Sequence, residues 1–276
     1  MKRRLSILGL VLLTGACVPP EPVVDLSKDY TEDTVMGEIQ AEGRLVIAVP
    51  DDAYPLGYVD QNDEAQGFVA ALGKEIADQL GVDAEYISGS SDQIIGLPQE
   101  GVADIAFPAT TMTESIVRKY QFSDPYLVAH QRLLVRAGDE DDAPTEICSF
   151  ADPETQIHPQ GAEVTPGTAQ DCLDALAEER TDAVTGSDFL LAGLQLQDPN
   201  RLVVTGDELT AEGLGAVIEK GAAQWTEYVN GVLYFAKTEG LWEEAYAGTI
   251  AQGLDEPVEP PEITAEEAAA LYPADL

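Results

Sequence analysis

Few residues of this 276-residue chain are of a type that does covalent or metal chemistry. There are three cysteines, Cys17, Cys148 and Cys172, and two histidines, His130 and His158. The histidines stand alone in the sequence, and no His/Cys spacing matches a metal site. No metal and no cofactor are therefore expected. No nucleophile lies beside a base, and no pair of carboxylates has a recognisable catalytic spacing, so the residue types point away from an enzyme. The abundant chemistry is acid: 51 Asp+Glu against 14 Lys+Arg, a net charge of −37. Such a surface repels phosphate backbones and anionic headgroups, which excludes nucleic acid as a partner. It suits salty surroundings, the plainer reading being solubility alone. With 45% hydrophobic residues in periodic blocks, the chain has the material for a large core.

The first cysteine follows an ordered series. Lys2-Arg3-Arg4 precedes the apolar stretch Leu5 to Leu13, then Thr14-Gly15-Ala16, then Cys17. A positive region, a short apolar region and small residues make an export signal. The apolar stretch falls short of the ~20 residues that span a bilayer. Leu13-Thr14-Gly15-Ala16-Cys17 resembles a bacterial lipobox, with Thr14 where Leu is usual. That resemblance implies cleavage before Cys17 and its acylation, hence an extracytoplasmic protein held to the membrane by lipid alone. Plain secretion with a free or paired Cys17 is the other reading. If Cys17 carries lipid, Cys148 and Cys172 remain to pair in an oxidising compartment, or to stay as two buried thiols. Residues 1–16 thus read as signal peptide, and 17–40, with Pro19-Pro20 and Pro22, as a tether.

The body must position whatever site exists. Arg44 to Val49 is a buried strand ending at Pro50, and Phe68, Ala71, Leu72, Ile76 and Leu80 mark a helix closed by Gly81. Strands are expected at Ala84–Ile87, Asp104–Phe107, Leu133–Val135, Asp182–Val184, Leu202–Val204 and Leu214–Ile218. Helices are expected at 92–100, interrupted by Pro98, and at Cys172–Glu179, Ser187–Leu196, Ala222–Thr238 and Leu241–Ala251. This alternation is that of an α/β protein with largely parallel sheets. Asp255 to Pro261 reads as a Pro/acid linker, and Ala265 to Leu271 as a last helical turn or two.

Several motifs occur in a specific order. They are Pro55-Leu56-Gly57-Tyr58-Val59-Asp60 with Gly67-Phe68, Thr111-Met112-Thr113, and Phe122-Ser123-Asp124-Pro125-Tyr126. Cys172 to Leu176, Asp182-Ala183-Val184-Thr185 and Leu191-Ala192-Gly193 follow, and Thr238 to Trp242 closes the series. Together, over residues 43 to 250, they resemble extracellular solute-binding proteins of family 3, the amino-acid receptors of ABC importers. The second half is similar to actinobacterial glutamate-binding lipoproteins, whose cysteine pair stands at comparable places. The resemblance implies the periplasmic-binding-protein-like fold, two α/β lobes with a hinge and an interlobe cleft. One lobe would hold residues 41–125 plus 219–276, the other 126–218.

An amino-acid receptor needs an Arg for the carboxylate and an acid for the ammonium. At the place of that Arg stands Ile116, with Arg118 two residues on, and at the place of the acid stands Ser187, with Asp188 next. Ala53 replaces an aromatic, with Tyr54 adjacent, Ser91 replaces another, and Gly67-Phe68-Val69-Ala70-Ala71 lacks both acids of the family's motif. Where a Gly-Thr cradle is expected, Ala151-Asp152-Pro153-Glu154 stands, and Gly167-Thr168 would serve only if the alignment slipped. The ligand-contact candidates carried over are Tyr54, Tyr58, Thr111, Thr113, Arg118 and Asp188. Each has a plainer reading: Thr111 and Thr113 as helix caps, Arg118 as a solvated charge, the tyrosines as packing, Asp188 as a cap. The function expected is a solute-binding lipoprotein, a monomer, that delivers a small solute to ABC permease subunits. The alternative is a sensory or interaction lipoprotein that keeps the fold without transport.

Overall fold

The computed structural model describes residues 29–150, 161–254, 259–264 and 267. The signal sequence, Cys17, His158, the expected cradle at 151–154 and most of the C-terminal tail lie outside the described residues.

Two five-stranded sheets share one pattern. The first runs Asp83–Gly89, Arg44–Pro50, Ile105–Ala106, Val217–Ile218, Gln121–Phe122. The second runs Glu163–Pro166, Glu146–Ser149, Ala183–Ser187, Gln131–Arg136, Leu202–Thr205. In each, the first three strands are parallel and the fourth is antiparallel to both neighbours. The sheets are therefore mixed rather than largely parallel. The reason is connectivity. Leu127–Ala129 and Glu212–Leu214 pair antiparallel as the crossing between lobes, and each runs on directly into the fourth strand of the sheet it enters. Val217–Ile218, placed in the second lobe by the sequence boundaries, accordingly pairs in the first sheet.

Local chemistry explains where the helices begin and end. Phe68–Leu80 buries Phe68, Leu72, Ile76 and Leu80 at helical spacing and stops at Gly81, whose φ of 72° takes the left-handed end. Ala169–Ala177 begins on a capping box in which Thr168 and Asp171 exchange side-chain and backbone bonds. Cys172 of that helix is bonded to Cys148 of the adjoining strand, with Cα atoms 5.2 Å apart. The helix expected over 92–100 is only Ser91–Ile94, followed by turns around Pro98. Residues 30–40, expected within a tether, belong to the fold. Val35–Glu42 is a helix capped by Thr34, and its Met36 and Ile39 enter the core, so packing begins by Tyr30, whose ring meets Tyr228 edge-on.

The larger core centres on Phe68, Tyr126, Trp242 and Tyr246, whose rings contact one another. It extends through Leu127, Ala129 and Leu214 of the crossing to Phe189 at the start of Asp188–Gln197. One apolar cluster thus runs from the first lobe, through the crossing, to a helix of the second. Contact is close there: a Cβ on Gly193 of that helix would lie 2.2 Å from the Tyr54 carbonyl oxygen.

Candidate functional site

At the crossing, polar side chains from both lobes collect on one residue. Glu212 opens the second crossing strand and is 3% exposed. Its Oε2 accepts hydrogen bonds from Thr111 Oγ1 at 3.1 Å and from Ser187 Oγ at 2.8 Å. Its Oε1 accepts from Gln131 Nε2 at 2.8 Å and from Thr210 Oγ1 at 3.2 Å. Thr111 comes from the loop after Ile105–Ala106 of the first sheet, Ser187 and Gln131 from strands of the second. Bonds of the main chain hold the donors, Ser187 through its pairing with Gln131 in the second sheet. Met112 N–H donates to the Gly213 carbonyl, Leu209 N–H donates to that of Gln131, and Gln131 N–H donates to Thr210 Oγ1.

Beside this group lies a second acidic centre. Asp188 is buried, its Oδ1 accepts from the Phe189 N–H at 2.7 Å, and its own N–H donates to the His130 carbonyl. His130 Nδ1 stands 3.3 Å from Asp188 Oδ2, and its Nε2 3.5 Å from Glu208 Oε2. Burial pulls the His130 pKa down. The bond to Asp188 and the charges of Asp188, Glu208 and Glu212 outweigh that, and the net shift is upward.

The remaining candidates separate. Tyr54 and Tyr58 lie on the hairpin formed by Asp52–Ala53 and Gly57–Val59, with ring centroids 4.9 Å apart and edge to face. Burial, then Tyr54 and Asp60, raise the Tyr58 phenol pKa. The Tyr54 ring is partly exposed, while its carbonyl meets the helix of the second lobe at Gly193. Thr113 caps Glu114–Lys119, accepting from the Ile116 N–H. Arg118 is exposed on that helix, ion-paired with Glu114, and its carbonyl accepts from Lys220 Nζ. Ile116 packs against the cluster of Met112 and Phe122. The structure therefore brings Thr111 and Asp188 to the crossing, joins the two tyrosines on a hairpin that touches the second lobe, and leaves Thr113 and Arg118 in surface roles. Ser91, at an expected aromatic position, accepts the Ala109 N–H. Among the described residues, no group of acids and histidines is arranged to hold a metal.

Sequence reasoning missed Glu212, Gln131 and Thr210, and took His130 as isolated. The one available signal was an acid, Glu212, immediately before an apolar strand between small residues.

Comparison with known proteins agrees with this architecture. Residues 45–250 match the profile of the bacterial extracellular solute-binding proteins, family 3. The chain belongs to this family. It is 25% identical over 257 residues to the glutamine-binding protein of an ABC transporter from Bacillus subtilis, covering 88% of this chain and 93% of that protein. To the glutamate-binding protein of Corynebacterium efficiens it is 25% identical over 229 residues, covering 73% and 76%. Among solved structures, an ancestral cationic amino acid solute binding protein superposes with a TM-score of 0.68 at 25% identity, covering 78% of this chain and 99% of that one. Solute receptors of this family are extracytoplasmic and work with ABC permeases. No described helix is long and apolar enough to cross a membrane.

Proposed function

We propose that this protein is a lipid-anchored solute receptor, a monomer, that binds a small amino-acid-like or related solute at the crossing and hands it to an ABC permease. The observation that carries this is the convergence of Thr111, Gln131 and Ser187 from both lobes onto the crossing strand at Glu212. Side chains meeting at a hinge let solute contacts bias the opening of the lobes, which is how such a receptor reports occupancy. Ligand candidates are Tyr54, Tyr58, Thr111 and Asp188, with Thr113 and Arg118 at the margin. With Ile116 in apolar packing and Ser187 bonded to a carboxylate, free glutamate, glutamine or arginine should bind weakly or not at all. A missing charge partner typically costs about 2–5 kcal/mol when the other charge is buried.

The test is calorimetric titration of the mature protein with the twenty amino acids and a panel of neutral and cationic metabolites, in low and high salt. A non-acidic solute that binds, and whose uptake fails when the gene is deleted, supports the receptor. Tight binding of an amino acid that is abolished by Arg118→Ala or Asp188→Ala would show that the missing charges had moved nearby. Binding with unchanged uptake would favour the sensory alternative. No bound solute in the whole panel would remove the receptor reading. Anchoring is checked by labelling cells with a fatty-acid analogue, the label expected to vanish in Cys17→Ala.

A further inference from the structure

A carboxylate presents about four lone-pair sites. In Glu212 all four are met, two at each oxygen, by Thr111, Ser187, Gln131 and Thr210. Every one of these donors is neutral. Among the described residues no Lys or Arg makes an ion pair with Glu212, and the charge of Glu212 is felt by His130, which itself stands beside Asp188 and Glu208. A buried carboxylate without a cation is costly unless hydrogen bonds replace its water, and this set replaces it in full. The donors come from four separate places in the chain, held by backbone bonds of their own. Four preorganised donors aimed at one point are what a cleft needs to receive a carboxylate from outside. Here the chain supplies the carboxylate itself.

We infer that Glu212 is an internal carboxylate that fills the cleft's carboxylate-binding place and ties Thr111 of the first lobe to Ser187 and Gln131 of the second. It is a specificity-determining residue. A solute carrying its own carboxylate finds the donors taken and meets the like charge of Glu212 and Asp188, so the cleft selects neutral or cationic solutes. The selectivity clause rests on the receptor reading above. The internal occupancy does not, and it is testable with no transported solute at all.

The experiment is thermal unfolding of the mature protein and of Glu212→Ala, with sodium formate or acetate at about 50 mM against sodium chloride at equal ionic strength. Glu212→Ala keeps the four donors and opens the space. Its midpoint is expected to fall by roughly 5 °C, and formate or acetate should recover part of that fall where chloride does not. The unaltered protein should show no such carboxylate-specific gain. Adding Thr111→Val to Glu212→Ala should weaken the recovery several-fold. An equal gain in the unaltered protein, or no carboxylate-specific gain in folded Glu212→Ala, overturns the proposal. Should Glu212→Ala fail to fold, Thr111→Val and Ser187→Ala each remove one donor and leave Glu212 in place. Each is then expected to lower the midpoint by about 2–4 °C, and a midpoint unchanged in both overturns the proposal as well.

Discussion

At the scale of residues, the crossing is built by side chains that meet only in the fold: Thr111, Gln131, Ser187 and Thr210 on Glu212, and His130 beside Asp188 and Glu208. Thr111 and Asp188 were visible as candidates because the family resemblance placed them at or beside ligand-contact positions. Glu212 was not, because its role exists only once residues 111, 131, 187 and 210 meet, and no local spacing records that meeting. His130 was hidden for the same reason: its partners Asp188 and Glu208 lie far along the chain. Its raised pKa has a consequence for stability. The ordinary imidazole value is 6.5, and the folded value stands above it. A raised folded-state pKa contributes stability that is complete below the unfolded value and is lost as pH rises through the folded value. The stability gap between the unaltered protein and His130→Gln should therefore be widest below pH 6.5 and shrink as pH climbs above it. Denaturant titrations at intervals from about pH 5 to about pH 9 measure the gap. A gap that grows with pH would mean that the histidine is not held by those carboxylates.

At the scale of elements, periodicity worked where apolar spacing was strong and failed where tertiary contact decides. Phe68–Leu80 was readable from its buried face and Gly81. Val35–Glu42 was not, since only Met36, Gly37 and Ile39 are buried and the segment follows a Pro-rich stretch. A single strand is expected over Leu214–Ile218, but the chain makes two, Glu212–Leu214 in the crossing and Val217–Ile218 in the first sheet, and the acid that opens the former contradicts burial rules until its four donors are known. The bridge between Cys148 and Cys172 joins a strand to the helix packed on it, as the odd cysteine count allowed. The contact least visible in sequence is that of Asp188–Gln197 with the first lobe. Gly193 permits it, since any side chain there would meet the Tyr54 backbone oxygen. Backbone offers no flexible end to move aside. Gly193→Ala should destabilise the protein by about 1–3 kcal/mol through forced separation of helix and hairpin. Urea unfolding measures it, and a variant of unchanged midpoint would show that the lobes do not need this approach.

At the scale of the whole molecule, charge dominates. The full chain carries −37, and loss of Lys2, Arg3 and Arg4 with the signal sequence would take the mature protein to −40. Few cations oppose this. Arg44 with Glu85, Lys74 with Asp78, Arg118 with Glu114 and Arg180 with Glu178 are ion pairs on the surface, where such pairs contribute little. Repulsion among the remaining acids is spread over the fold and acts against compactness. Two effects of salt then oppose each other: screening weakens the few attractive pairs and relieves the many repulsive ones. The imbalance of 51 acids to 14 bases decides the sign. The melting midpoint should rise as sodium chloride goes from about 0.01 M, where charges interact over roughly 30 Å, to about 1 M, where they interact over roughly 3 Å. Potassium chloride should give the same curve, because screening depends on ionic strength and not on the cation. Scanning calorimetry of the mature protein across this range reads the effect directly. A midpoint that falls with salt would show that the surface pairs outweigh the repulsion, and the acidic surface would then be a matter of solubility alone.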